Sequence, residues 1–171
     1  MSAQTLYLAG GCFWGTQKFF DQFAGVLGTQ VGYANGPSAN PSYQEVCASS
    51  GHAETVRIDF DDALLPLEKL LDYYFIVIDP TAYHRQGPDT GIQYRTGIYY
   101  TDSSLLPRLR LRFEQEQKKY PVPLQTELLP LRNFYPAEEY HQKYLEKNPD
   151  GYCHIPEKMM HLAPVQSPCG D

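Results

Sequence analysis

Basic residues are scarce in this chain: 14 lysines and arginines stand against 20 aspartates and glutamates, for a formal net charge of −6. No run of Lys or Arg breaks that balance, which argues against nucleic acid as a principal partner. No apolar run approaches the roughly 20 residues of a membrane-spanning helix, so no membrane association is expected. The N-terminus has no basic region followed by an apolar stretch, so no secretory leader is expected and the cytoplasm is the expected address. Cysteines number four, at 12, 47, 153 and 169. They are too few and scattered for a disulfide scaffold, and without a CxxC pair neither a structural zinc pattern nor a thioredoxin-type motif is present. His141, Cys153, His154 and His161 match no compact metal site, so no metal is expected. Internal repeats, low-complexity tracts and interdomain linkers are also missing, which leaves one domain of 171 residues, large enough for a substantial core.

What is abundant is tyrosine: 14 against 8 phenylalanines. Polar-tipped aromatic pockets follow from that excess. The most distinctive stretch is Gly10-Gly11-Cys12-Phe13-Trp14-Gly15. Thr5–Ala9 before it reads as a buried strand, and Thr16–Phe23 after it as a helix with Phe19, Phe20 and Phe23 on one face. The glycines permit a tight turn. Cys12 then stands where a helix begins, and free N–H groups with the helix dipole favour a thiolate there. Phe13 and Trp14 flank its sulfur. The plain alternative is an inert core cysteine with packed aromatics.

Along the rest of the chain, Thr29–Tyr33 reads as a short strand. Residues 34–53 form a long Gly/Pro/Asn/Ser loop without helical period, of a kind more often functional than idle. Glu54–Phe60 alternates, with Val56, Ile58 and Phe60 on one side. Pro66 opens a helix striped by Leu67, Leu70, Leu71, Tyr74, Phe75 and Ile78, and Pro80 ends it. A second polar loop spans 79–94. Thr96–Thr101 is a strand, Asp102-Ser103 caps a helix to about Lys119, and Gln125–Leu129 is the final strand. Pro136 opens a short helix through Leu145, and an irregular tail follows from Lys147. This order predicts an α+β fold, a two-layer α/β sandwich of split-βαβ (ferredoxin-like) type. Residues 1–146 form its body and 147–171 a tail within the same unit.

Polar groups gather at the strand–loop junctions: Cys12, Tyr43, Glu54, Asp89 and Tyr94. A carboxyl in an aromatic pocket resists ionisation and serves as a proton donor, and phenols hold a polar oxygen. Taken singly, Glu54 reads equally as a solvated strand end, Tyr43 as a packed loop aromatic and Asp89 as a turn residue.

Gly10–Gly15 closely resembles the signature of the peptide methionine sulfoxide reductase A family. So do Val31–Gly36, Tyr43–Cys47, Gly51–Glu54, Arg85–Gly87, Asp89 with Gln93-Tyr94-Arg95, and Phe134–His141, in family order from residue 6 to about 146. The resemblance implies an α/β-sandwich fold and thiol-dependent reduction of methionine S-sulfoxide, free or in peptides and oxidised proteins, as protein repair. It makes Cys12 the nucleophile, and Phe13 and Trp14 the pocket for the S-methyl group. Glu54 becomes the acid for the sulfoxide oxygen, Tyr43 and Tyr94 its hydrogen-bonding partners, and Asp89 a supporting residue. Attack leaves a sulfenic acid, which condenses with a second thiol. Asn148–His154 resembles the family's recycling segment, so Cys153 is the implied resolving cysteine. Cys169 is either a second recycling cysteine or an exposed thiol, and Cys47 is read as structural. No cofactor is expected, only an external dithiol reductant, thioredoxin, acting by exchange. A monomer is expected. Two departures from the family pattern are Ile78, where many members carry His, and Pro88, where Asn is common. Two rivals are a Cys-dependent acyl transferase or hydrolase using His52 or His84 as base, and a non-catalytic, tyrosine-rich peptide-binding module.

Overall fold

The structure is a computed structural model that describes residues 3–48 and 50–162. Its elements in order are β1 (Ala3–Gly10), α1 (Phe13–Asp21), β2 (Val26–Ala34), α2 (Tyr43–Cys47), β3 (Ala53–Asp61) and α3 (Leu67–Val77). The short ribbon β4 (Arg85–Gln86) and β5 (Asp89–Thr90) follows, then β6 (Thr96–Tyr100), α4 (Leu106–Gln117), β7 (Glu127–Pro130), β8 (Phe134–Pro136) and α5 (Tyr144–Lys147). The fold is mixed α/β. Its main sheet has the order β7-β6-β1-β3-β2-β8. β3 lies between β1 and β2, antiparallel to both, and β6 pairs antiparallel with the other side of β1.

Alternation decides which face is packed. Leu6 and Leu8 of β1, Val56, Ile58 and Phe60 of β3, Val31 of β2 and Ile98 of β6 share one buried cluster with Phe19 and Phe20 of α1 and Leu67, Leu70, Leu71 and Tyr74 of α3. The opposite face carries a smaller cluster, Tyr7, Ala9, Ala34, Ala53 and Tyr99, roofed by Leu131 and Phe134. Tyr74 locks α3 to the sheet: its hydroxyl donates to the Ala9 carbonyl at 2.6 Å and accepts from the Gly97 N–H at 3.0 Å.

The segment after residue 120 departs from expectation. Gln125–Leu129 corresponds to β7, but β7 runs parallel to β6, and it is not the final strand. Pro136 does not open a helix; it ends β8, which pairs with β2 through Gly32↔Pro136 and Ala34↔Phe134. Proline is tolerated there because β8 is an edge strand. The helix expected to reach Leu145 is instead a 3-10 turn at Glu139–His141 followed by α5, separated by Lys143 at φ 55°. Pro66 caps α3 from outside rather than opening it. The 34–53 loop contains α2, whose entry is a capping box between Ser42 and Glu45. So short a helix has no period to detect. Asp102 caps a 3-10 turn, Ser103–Leu105, ahead of α4.

The tail is packed as far as it is described. Ile155 and Met160 are buried in the main core cluster, and the Gln22 amide donates to the Met159 carbonyl at 2.8 Å. Cys169 lies outside the described residues.

β8 also supplies a stability test. A Cβ on Gly32 would lie 2.5 Å from the Phe134 ring and 2.6 Å from the Tyr135 carbonyl oxygen. Backbone cannot yield as a side-chain tip does. Gly32→Ala is therefore expected to destabilise by about 1–3 kcal/mol, measured by denaturant unfolding.

Candidate functional site

Antiparallel pairing brings the ends of β1 and β2 and the starts of β3, β6 and β8 to one end of the sheet. Gly10 at the end of β1 faces Thr96 at the start of β6, and Ala9 faces Thr55. Ala34 at the end of β2 faces both Ala53 and Phe134. Cys12, Glu54 and Tyr94 thus leave neighbouring strands at the same end. Tyr43 follows β2 into that end.

Gly11, at φ 84°, makes the turn from β1 into α1, and a side chain there would also strike Gln86 and His154. Cys12 is the N-cap of α1 and only 6% exposed. Its thiol is pushed well above the usual range, chiefly by burial and next by the Glu54 carboxyl, with smaller contributions from Asp89 and Cys153. The Trp14 N–H pulls the other way but is outweighed. The helix start therefore does not yield a resting thiolate as expected. One of its free donors, the Phe13 N–H, is spent on Glu54 Oε1 at 3.2 Å, and the sulfur sits out of water, where a charge is costly.

Glu54 is the second residue of β3 and shares the packed face with Val56 and Ile58. It is 1% exposed, and its Oε2 has no hydrogen-bond partner. Burial, opposed by the Phe13 N–H and aided by Asp89, lifts its pKa to about 8. At neutral pH it is a protonated acid beside the cysteine.

Tyr43 and Tyr94 are both half-buried and both held in the phenol form. After burial, the leading influence on each is the Glu54 carboxyl; Cys12 and Asp89 also act on Tyr94. Tyr43 is anchored by its N–H, which donates to Glu138 Oε2 at 3.0 Å, while the Tyr33 hydroxyl donates to Oε1 of the same carboxylate at 2.7 Å. Tyr94 is set by its neighbour Arg95, a buried cation that ties three loops together. Its guanidinium donates to the carbonyls of Gly51, Ile92 and Asn35 at 3.0, 3.0 and 3.1 Å, and pairs with Glu127 at 3.0 Å. Asp89 meets the tail rather than Cys12 directly: it accepts from the Tyr152 hydroxyl at 2.8 Å.

Phe13 is 1% exposed, packed against Tyr33 and His141, whereas Trp14 is half-buried. Two residues that composition and spacing did not single out for it hold the Trp14 ring. Its Nε1–H donates to His141 Nδ1 at 2.9 Å, and it stacks on Tyr144 at 3.8 Å, 11° from parallel. Accepting at Nδ1 places the His141 proton on Nε2 when the ring is neutral, and burial favours that neutral form. No group of three or more metal-binding side chains occurs among the described residues. His52 spends Nε2 on the Ser38 carbonyl at 2.8 Å, and His84 stacks on Tyr83. Cys47 is exposed at the end of α2, not packed in the core.

A family model described as peptide methionine sulfoxide reductase matches residues 4–167. The chain belongs to that family. A peptide methionine sulfoxide reductase MsrA of Lachnoclostridium phytofermentans is 58% identical over 153 residues, covering 89% of this chain and 92% of that one. A solved structure of methionine sulfoxide reductase A of Corynebacterium diphtheriae superposes with a TM-score of 0.85 at 36% identity, covering 91% of this chain and 84% of that one. Mxr1 from Saccharomyces cerevisiae in complex with Trx2 superposes with a TM-score of 0.59 at 26% identity, over 84% of this chain and 85% of that one. For a methionine sulfoxide reductase the site is chemically coherent. It holds one thiol at a helix start, one buried neutral carboxyl, two phenols and an aromatic wall.

Proposed function

We propose that this chain reduces methionine S-sulfoxide, free or in peptides and oxidised proteins, with Cys12 as nucleophile, and that it does so as a monomer recycled by thioredoxin. The observation that carries the reading is the neutral Glu54 carboxyl bonded to the first N–H of the helix that Cys12 caps. Nucleophile and proton donor are fixed to the same helical turn.

A sulfoxide oxygen leaves only once protonated. In this reading Trp14, backed by Phe13, receives the S-methyl group, and the Tyr43 and Tyr94 hydroxyls hold the oxygen. The Cys12 sulfur attacks the sulfoxide sulfur. Glu54 gives its proton to the oxygen, and the thiol proton restores it. The products are methionine and a Cys12 sulfenic acid, which matches the oxidation ladder of cysteine. Asp89 supports the site through Tyr152. Cys153 condenses with the sulfenic acid, releasing water, and a thioredoxin dithiol reduces the disulfide by exchange. Residues 1–146 supply the catalytic step and the tail from 147 the recycling thiol. Oxygen donors and methyl pocket act together in chiral choice, since a methyl-sized pocket alone discriminates by only about 1–3 kcal/mol.

The test is a chiral assay with each sulfoxide epimer, with and without thioredoxin. The S epimer should yield one equivalent of methionine per enzyme and then stop, resuming when reduced thioredoxin is added. Release of an acyl product without reductant would favour a hydrolase, and binding without consumption would favour a peptide-binding module.

A further inference from the structure

The residue after Cys153 has a free base that the mechanism above leaves unused. His154 Nε2 lies 3.0 Å from the Gly10 carbonyl oxygen. A carbonyl only accepts, so Nε2 carries the proton, and in the neutral ring Nδ1 carries a lone pair. That Nδ1 is buried and has no hydrogen-bond partner. Gly15 shows where it points. A Cβ on Gly15 would lie 3.0 Å from Cys153 Sγ and 3.2 Å from His154 Nδ1. Sulfur and lone pair therefore crowd the same bare patch on the first turn of α1, the turn that Cys12 begins. Glycines at 11 and 15 keep that patch open for the tail.

We propose that His154 Nδ1 accepts the thiol proton of Cys153 as its sulfur attacks the Cys12 sulfenic acid, and returns that proton to the departing hydroxyl. An S–S bond forms and the S–O bond of Cys12 breaks. Cys153 is oxidised, the sulfenic sulfur is reduced, and the proton leaves in water. No outside reagent enters, and His154 ends as it began.

The surroundings require such a base. Burial raises the Cys153 thiol above its ordinary range, opposed in part by the Ile155 backbone and by Lys18 of α1 and aided by Glu157, and the thiol donates to the Ile155 carbonyl at 3.4 Å. Burial lowers the His154 pKa, opposed by the Gly10 contact and the charge of Asp89, so the ring is neutral at physiological pH. Cys12, at the start of α1, and Tyr152 also interact with the Cys153 thiol at this face.

The inference rests on Cys153 being the resolving thiol, and one experiment separates the two ideas. Reduced enzyme is mixed with one equivalent of methionine S-sulfoxide and quenched at intervals between pH 5 and 8. Methionine is quantified by chromatography and the Cys12–Cys153 disulfide by mass spectrometry. In His154→Gln the amide still donates to Gly10, but the base is gone. Disulfide formation should fall about a hundredfold relative to methionine release. Wild type should lose rate on the acid side as His154 protonates, and that loss should vanish in the variant. Should glutamine disturb the docking, His154→Ala is the second variant, and added imidazole should speed its disulfide step. A wild-type disulfide rate in His154→Gln, or a slow rate that keeps the wild-type acid limb, overturns the proton role and leaves Cys153 in place. If wild type itself forms no Cys12–Cys153 disulfide, the assignment of Cys153 fails first.

Discussion

Serine in place of Cys12 should abolish sulfoxide reduction without loss of the fold. Oxygen for sulfur is a small change in volume at this buried turn. Cys12 caps α1 without a side-chain hydrogen bond. Serine is a preferred N-cap, so Cys12→Ser should be as stable as wild type or more stable by about 1 kcal/mol. The chemistry has no such tolerance. An alcohol does not attack a sulfoxide sulfur and cannot be carried to a sulfenic acid, so the two-step route is closed. Loss of a covalent nucleophile typically costs on the order of 10⁴-fold or more in rate. Methionine release under excess dithiol measures it, with thermal unfolding as the control. More than a few per cent residual activity in a folded Cys12→Ser protein would remove Cys12 from the mechanism.

Glu54→Gln should lower the chemical step about a hundredfold, roughly 3 kcal/mol for a lost donor in a water-poor site. The amide preserves shape and can still accept from the Phe13 N–H, but it has no proton to transfer. The pH dependence identifies the cause. With its pKa lifted to about 8, wild-type Glu54 loses its proton as pH rises through that value. The single-turnover rate should fall on that alkaline side, and the fall should be missing in Glu54→Gln. Stability moves the other way. Between the ordinary glutamate range and about pH 8 the unfolded chain is ionised at this position and the native protein is not. The unfolded state therefore binds fewer protons, and stability declines as pH rises through the window. Glutamine removes that cost, so the variant should gain stability over wild type at pH 8 and little at pH 4. Activity lost together with stability gained would mark a carboxyl kept in the core for chemistry.

Much of this was readable before any coordinates. Strand, glycine turn and aromatic helix around Cys12 follow from local pattern. The alternation of Val56, Ile58 and Phe60 puts Glu54 in phase with their face, but a strand end reads equally as solvated until packing closes over it. Other parts were not legible for identifiable reasons. Phe134–Pro136 is too short to show a period, and its proline reads as a helix opener unless its place at a sheet edge is known. α2 is a single capped turn. His141 has no assigned role in the sequence, because nothing local reveals that its Nδ1 holds Trp14. Arg95 looks like a surface cation beside Tyr94, yet it is the tie among loops around Asn35, Gly51 and Ile92.

By itself the sequence determined the chemistry available: one cysteine at a strand-to-helix turn, carboxyls and phenols at loop junctions, a thiol in the tail, and the family's motifs in order. Tertiary structure decided what state those groups are in and which of them meet. Protonation depends on water being excluded from all sides, and only packing excludes it, so a helix start that locally favours a thiolate ends as a neutral thiol beside a neutral acid. Contact between Gly15 and residues 153–154 likewise depends on the tail folding back over α1, across more than a hundred residues of chain that carry no local sign of it.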